Sequence, residues 1–413
     1  MTDLDWIFDA GFFGMRFYDM PNLLLCLLFV FINCRLMKVP RLAEIVLFGH
    51  CLLPMFLNGV VFSFSFMPDA FKYWHAFNAI RSGELGFFDA LTGGNVEQAA
   101  ALFTLMPFPL AVTPLSIGFI NTFLYLVLFF WLFRKKVFTS LSMWFYLLYP
   151  SLALYTGMGL RDNFILVFMV VAIQWAREGR WLVLWFPLVL LFTIKFQNFF
   201  VLAPLLLAYT WFGIRHGGVS LGRGAITLSV GFIVFLIAAP IALPLVNYYR
   251  AAMFAEDGGD PSQVVLINGP SEFILEGITS GLYFFMKPFP WETSNFFQLI
   301  QSFENIAIVV VTFLIIRVAW RRAPRKLNFW LLFIIFALSI YGLVVFNYGT
   351  AARYRYPFIT IFVLFVCSDC DVRSLFRPFA PAHWRIGRAS QPQLAPSAIR
   401  SVEKETKAPD AIS

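Results

Sequence analysis

The chain has 413 residues, 60% of them hydrophobic and only 13% charged, with a mean hydropathy of +0.76. That profile describes an all-α integral membrane protein and excludes a soluble domain, which has no aqueous surface on which to spread so much apolar side chain. The formal net charge is +8, but the basic residues fall in short turns between apolar stretches and in the tail, where they set orientation, so nucleic acid is excluded as a partner.

Residues 1–20 read as an aromatic-rich interfacial lead-in on the outer side; they carry Asp3, Asp5 and Asp9 where a signal peptide needs a basic start, so no cleavage is expected. Residues 21–370 read as one polytopic domain. With about 20 mainly apolar residues per span, candidate spans lie near 21–35, 42–64, 113–133, 137–156, 162–176, 181–194, 199–213, 225–246, 304–320, 328–347 and 357–369, about 11 in all. Clusters of Lys and Arg then fall on one side: Arg35, Lys38 and Arg41; Arg134, Lys135 and Lys136; Arg177 and Arg180; Arg215 and Arg223; Arg317, Arg321, Arg322, Arg325 and Lys326. That side is cytoplasmic by the positive-inside tendency. Opposite it lie two longer loops, 65–112 and 247–303, the first with Asp69, Glu84, Asp89 and Glu97, the second with Glu256, Asp257, Asp260, Glu272, Glu276 and Glu292. The topology expected in a cytoplasmic (inner) membrane is N-terminus outside and C-terminus inside. Residues 371–413 are polar, basic and Pro/Ser-containing, a disordered cytoplasmic tail.

The five Cys form no disulfide framework, and Cys367 and Cys370 have C-x-x-C spacing without a second pair or a nearby His, so they read as structural. No internal repeat, Walker A motif or G-x-G-x-x-G after a strand occurs, which leaves ATP-driven transport and a nucleotide-sugar Rossmann domain without support. His50 and His75 have no ligand partner at suitable spacing and default to structural roles.

Against this charge map four cations are misplaced. Arg161, Lys195, Arg353 and Arg355 lie outside the cytoplasm and close to the bilayer boundary, where charge is costly and basic residues are scarce, so an anion is expected to use them. The first external segment begins Met67-Pro68-Asp69-Ala70-Phe71-Lys72-Tyr73. Pro68 suits a helix start, and Asp69, Lys72 and Tyr73 then share one face. Asp69 is either a general base toward an acceptor hydroxyl or a helix-end carboxylate paired with Lys72. Gly159-Leu160-Arg161-Asp162-Asn163 follows Tyr149-Pro150; Asp162 suits a helix cap, while Arg161 either faces a cavity, pairs with Asp162 or snorkels. Lys195, beside Gln197 and Asn198, marks a short external turn and either snorkels or projects into a cleft.

The sharpest local pattern is Arg353-Tyr354-Arg355-Tyr356-Pro357. Pro357 disfavours helix at Tyr356 and fits the first turn of the last span, so both arginines are expected on an extended approach to a positive helix end, an arrangement suited to phosphate. In Lys287-Pro288-Phe289-Pro290-Trp291-Glu292, Trp291 is placed to stack on a sugar face and Glu292 to accept hydroxyl hydrogen bonds, or the segment is an interfacial turn.

Asp69 to Tyr73 in an early external loop, Pro150 followed by Leu160-Arg161-Asp162, and Arg353-Tyr354-Arg355-Tyr356-Pro357 before the last span together resemble the polytopic GT-C-type glycosyltransferase superfamily, including bacterial members that act on polyprenyl-phosphate sugars. The layout is also similar to lipid-linked oligosaccharide polymerases of the Wzy and EpsG kind. The resemblance implies transfer of a sugar from a polyprenyl-phosphate donor to a glycan, lipid or protein acceptor on the outer face. It implies carrier-phosphate binding by Arg161, Lys195, Arg353 and Arg355, acceptor activation by Asp69, and acceptor or sugar contacts from Tyr73, Trp291 and Glu292. Asp69 is followed by Ala70 rather than a second acid, so neither a divalent metal nor another cofactor has residue support. Single transfer, polymerisation, and a transporter or lipid flippase using the same cations remain alternatives.

Overall fold

The computed structural model describes residues 11–62, 69–108, 111–211, 221–256 and 259–372. The lead-in before Gly11, the Pro68 helix start, the turn bearing Arg215, Asp257 and the tail beyond Val372 lie outside these residues. Among the described residues there is no strand, and the chain runs as helices α1 (Gly11–Tyr18), α2 (Met20–Met37), α3 (Arg41–Leu57), α4 (Asp69–Ser82), α5 (Phe87–Thr92) and α6 (Asn95–Thr104). It continues through α7 (Leu115–Arg134), α8 (Ser140–Leu148), α9 (Pro150–Gly157), α10 (Asp162–Glu178), α11 (Trp181–Ile194) and α12 (Phe196–Trp211). The last helices are α13 (Leu221–Glu256), α14 (Pro270–Met286), α15 (Phe296–Arg322), α16 (Pro324–Val344) and α17 (Tyr348–Asp369).

Four helices, α2, α7, α15 and α16, are long and apolar enough to cross a membrane. Helix α7 is the axis of the bundle: 89% of its most apolar stretch is buried, against 28% for α2 and 22% for α15. The outer helices therefore turn apolar side chains away from the protein, among them Leu24, Leu28 and Phe31 on α2 and Phe303, Val310 and Phe313 on α15. Water would penalise that surface heavily, whereas hydrocarbon is its natural solvent. The protein is membrane-embedded.

Three features differ from the sequence expectation. The span expected over 137–156 is broken at Tyr149, where α8 ends and α9 begins with Pro150 at its first position. Proline lacks an amide hydrogen and suits the first turn, and the Ser151 amide, which has no partner within α9, donates to Glu304 Oε1 of α15 at 2.9 Å. The two segments expected to be external loops also hold helices beyond the one expected from Asp69 (α4), namely α5 and α6 in the first and α14 in the second. Helix α14 lies against α16 through Gly281, where a Cβ would stand 3.0 Å from the Ser339 backbone; small residues permit that approach of two helices.

The third difference concerns Arg353 and Arg355. Helix α17 begins at Tyr348, not at Pro357, with the Asn347 side chain accepting from the Gly349 amide at 2.8 Å. Pro357 lies inside the helix and buried. It removes one hydrogen bond, to the Arg353 carbonyl, but the helix is held before it by its cap and by Tyr155, whose hydroxyl donates to the Gly349 carbonyl at 2.9 Å. Neighbouring helices can hold a helix through such a break.

Candidate functional site

A cluster of charge forms where the first residues of α4 and α10, the second turn of α17 and the turn between α11 and α12 converge. The loop before α10 is fixed from the axis: Asn121 of α7 donates to the Met158 carbonyl at 2.6 Å and to that of Leu160, while Asn163 donates to the Asn121 carbonyl at 3.0 Å. Gly159 in that loop lets α4 approach, since a Cβ there would stand 3.2 Å from those of Ala70 and Ile117. Helix α4 is further anchored by Trp74, whose indole nitrogen donates to the Ala111 carbonyl at 2.9 Å. These contacts bring Asp69 and Asp162 toward the same guanidinium, each at the positive end of its helix.

Arg353 links the two carboxylates. Its Nε donates to Asp162 Oδ2 at 2.5 Å and its Nη1 to Asp69 Oδ2 at 3.4 Å. Asp69 Oδ1 also takes Lys72 Nζ at 3.4 Å, the helix-face pair read from the spacing. Asp162 side chain is almost fully enclosed at 3% exposure, whereas Asp69 keeps 36%. Asp69 is therefore the carboxylate an incoming group can reach.

Within this cluster Arg161 and Lys195 have no carboxylate within ion-pair distance among the described residues. Arg161 Nη1 donates to the Ile194 carbonyl at 3.2 Å and the Asn95 carbonyl at 3.4 Å. Lys195 is buried, with Nζ 3.3 Å from the centre of the Tyr354 ring and 5.4 Å from that of Tyr341. An aromatic face stabilises an ammonium group without neutralising it. The Tyr341 hydroxyl donates to Asn198 Oδ1, which ties α16 to α12 beneath the lysine. Tyr73 packs its ring edge-on to Phe103, and burial pushes its phenol up to about 12 against the pull of Arg161 and Arg353. It remains a protonated hydroxyl, a donor, through the physiological range.

The structure thus gathers Asp69, Tyr73, Arg161, Lys195 and Arg353 and leaves three predicted residues elsewhere. Arg355 is fully buried on the other side of α17: Nη1 donates to the carbonyls of Phe284, Phe285 and Lys287 at 2.9, 3.1 and 3.1 Å, and Nη2 to Asn305 Oδ1. It closes the C-terminal end of α14, where unpaired carbonyls and the helix dipole favour a cation. Glu292 pairs with Lys287 at 3.1 Å and accepts from the Phe289 amide at 3.2 Å, closing its own turn. Trp291 is 79% exposed and stacks one face on Phe289 at 5.0 Å.

Asp162 was expected to cap α10 but occupies its first turn and pairs with Arg353 instead; no local spacing announces a partner 191 positions away. Tyr354, the floor under Lys195, has no role of its own in the sequence pattern, where it only separates the two arginines. Two further arginines repeat the role of Arg355: Arg16 donates to the carbonyls of Met55 in the last turn of α3 and of Asn58 just after it, and Arg250 to that of Leu343 in the last turn of α16. Among the described residues no three of His, Cys, Asp and Glu come together as metal ligands. A cavity of about 500 Å³ lies apart from the charge cluster, between Leu42 of α3, Trp144 and Phe145 of α8 and Ile308 of α15, with Glu304 at its edge. Comparison with protein-family models, curated proteins and solved structures finds none that matches this chain.

Proposed function

We propose that the protein is a glycosyltransferase of about 11 spans in the cytoplasmic membrane, N-terminus outside, which transfers a sugar from a polyprenyl-phosphate donor to a glycan, lipid or protein acceptor on the outer face. The observation that carries this reading is the meeting of Asp69, Arg161, Lys195 and Arg353 from four separate elements. The cluster offers a half-exposed carboxylate beside cations that carboxylates do not fully neutralise. A phosphate-linked substrate needs both: a base for the acceptor hydroxyl and positive charge for the departing phosphate.

In this mechanism Arg161 and Lys195 hold the phosphate oxygens, and the Tyr73 hydroxyl donates to a substrate oxygen. Asp69 removes the proton from the acceptor hydroxyl as its oxygen bonds to the anomeric carbon and the sugar–phosphate bond breaks. Arg353, fixed on Asp162, orients Asp69 and adds to the positive field. The exposed face of Trp291 is available to an acceptor sugar, and the apolar cavity between α3, α8 and α15 suits the hydrocarbon of the donor. The test is turnover of polyprenyl-phosphate sugars by purified protein in lipid nanodiscs, read by mass spectrometry as release of polyprenyl phosphate. Asp69→Asn is expected to abolish release while donor retention and melting temperature stay near those of the unmodified protein; full activity in this variant would remove the base from the mechanism.

A further inference from the structure

The opposite ends of α10 and α17 frame a second charged cavity. The 17 residues of α10 rise about 25 Å at 1.5 Å each, so this cavity is separated from the Asp69 cluster by most of a bilayer core. It measures about 350 Å³, within the roughly 300–1,000 Å³ range of small-ligand pockets, and its charged lining comprises Lys135, Lys136, Arg177, Glu178, Lys326 and Asp369.

Four cations here face two carboxylates, and both carboxylates are already engaged. Glu178 takes Lys135 at 2.9 Å, Gln174 at 3.0 Å and Arg180 at 3.0 Å. Asp369 takes Arg177 at 2.5 Å and the Trp330 indole nitrogen at 3.0 Å. Two ammonium groups are left over: Lys326 reaches only the Asp369 carbonyl at 3.4 Å, and Lys136, exposed with φ +56°, has no partner among the described residues. The converging C-terminal ends of α7, α10 and α17 account for some positive charge, but Lys135 and Arg177 already stand there.

Depth identifies the ligand chemistry. Lys136 follows α7 and Lys326 lies in the first turn of α16, two of the helices long and apolar enough to cross a membrane, so both lysines stand where hydrocarbon gives way to headgroups. Basic pockets between helices at that level suit phosphate-bearing lipid headgroups. We propose that this cavity is a second anion site, independent of the Asp69 cluster, which binds a phosphate group with Lys136 and Lys326 while the Arg177–Asp369 and Lys135–Glu178 pairs hold its walls.

The test compares full-length protein carrying Lys136→Asn and Lys326→Gln with unmodified protein; asparagine tolerates the positive φ at 136. Arg134→Ala with Arg325→Ala removes the same two charges from positions that do not line the cavity. Each protein is placed in micelles of a phosphate-free maltoside detergent with or without phosphatidylglycerol, and lipid retention is read by native mass spectrometry. Inorganic phosphate in the same lipid-free maltoside micelles, read by thermal shift, is the soluble-anion arm. A lipid source predicts phosphatidylglycerol retention that falls at least tenfold in the cavity variant and less than twofold in the control. A soluble source predicts instead a phosphate-dependent rise in melting temperature that the cavity variant lacks. No effect of either anion, or equal losses in the two variants, overturns the site.

Discussion

Arg353 and Arg355 stand two positions apart on α17 and enter opposite surroundings. Arg353 meets the carboxylates of Asp162 and Asp69 in a cluster still open at Asp69, whereas Arg355 gives its hydrogen bonds to carbonyl and amide oxygens at the end of α14 and on α15, with the Glu304 carboxyl nearby, and is sealed from solvent. Two residues of helix turn a side chain through roughly 200°, so a helix must divide neighbours that an extended segment would place on one face. A misplaced cation therefore has two physical explanations. It either faces other mobile or exchangeable charge, or it closes the carbonyl end of a helix, as Arg16, Arg250 and Arg355 do.

The largest expected effect tests the closed region. Arg355→Ala leaves the carbonyls of Phe284 and Phe285 and the Asn305 oxygen without their donor, and each buried acceptor left unsatisfied costs about 1–3 kcal/mol. The melting temperature in detergent should fall steeply. Arg355→Lys should recover only part of that loss, because an ammonium group cannot span four acceptors held in a fork. A near-normal melting temperature for Arg355→Ala would show that α14 is held in place by its contacts with α16 alone.

Next in size is the pair on which the open region depends. Asp162→Asn removes the negative charge facing Arg353 and leaves Asp69, 3.4 Å away, as its one carboxylate partner among the described residues, and loss of the charge-assisted hydrogen bond costs up to about 1.5–3 kcal/mol. In the proposed reaction the released Arg353 no longer holds Asp69 in place, so turnover should fall further than donor retention. Equal losses of stability and turnover in Asp162→Asn would make Arg353 a structural residue of the same kind as Arg355.

Lys195→Met should act oppositely on the two properties. The thioether keeps much of the packing on Tyr354, and removing a buried ammonium without a carboxylate partner relieves desolvation. Stability should hold or rise, while retention of a phosphate-bearing lipid falls about tenfold, the equivalent of about 1.4 kcal/mol. Unchanged retention would place the anion on Arg161 and Arg353 alone.

The membrane class was legible because it depends on apolar content summed over hundreds of residues. The approach of Asp69, Arg161, Lys195 and Arg353 was legible only as a shared side of the bilayer; that they touch a common cluster depends on Asn121 and Gly159, which no span pattern marks. Helix α14 was missed because Glu272 and Glu276 interrupt its apolar run, although Gly277 and Gly281 fit it to α16. Pro357 misled for a different reason. A proline discourages helix at the residue before it, but the preference is modest beside the cap at Asn347 and the packing of buried Ala351 and Ala352. The Asp162–Arg353 contact spans 191 positions, so from the sequence Asp162 reads as a helix cap and Arg353 as a phosphate ligand, with nothing local to join them.

The smallest expected effect belongs to Trp291, which separates the two regions by lying in neither. Its ring rests one face on Phe289 and exposes the other, and the neighbouring Lys287–Glu292 pair is partly solvent-exposed. Exposed ion pairs contribute about 0–1 kcal/mol, so neither Trp291→Ala nor Glu292→Gln should shift the melting temperature by more than a degree or two. Any loss should appear instead in acceptor KM. An aromatic stacking contact is worth about 0.5–1.5 kcal/mol, roughly a two- to tenfold rise in KM for Trp291→Ala with kcat unchanged. A fall in kcat would put the 290–292 turn into the reacting centre beside Asp69. An unchanged KM would leave this turn as an interfacial anchor and confine acceptor recognition to α4 and the loop before α10.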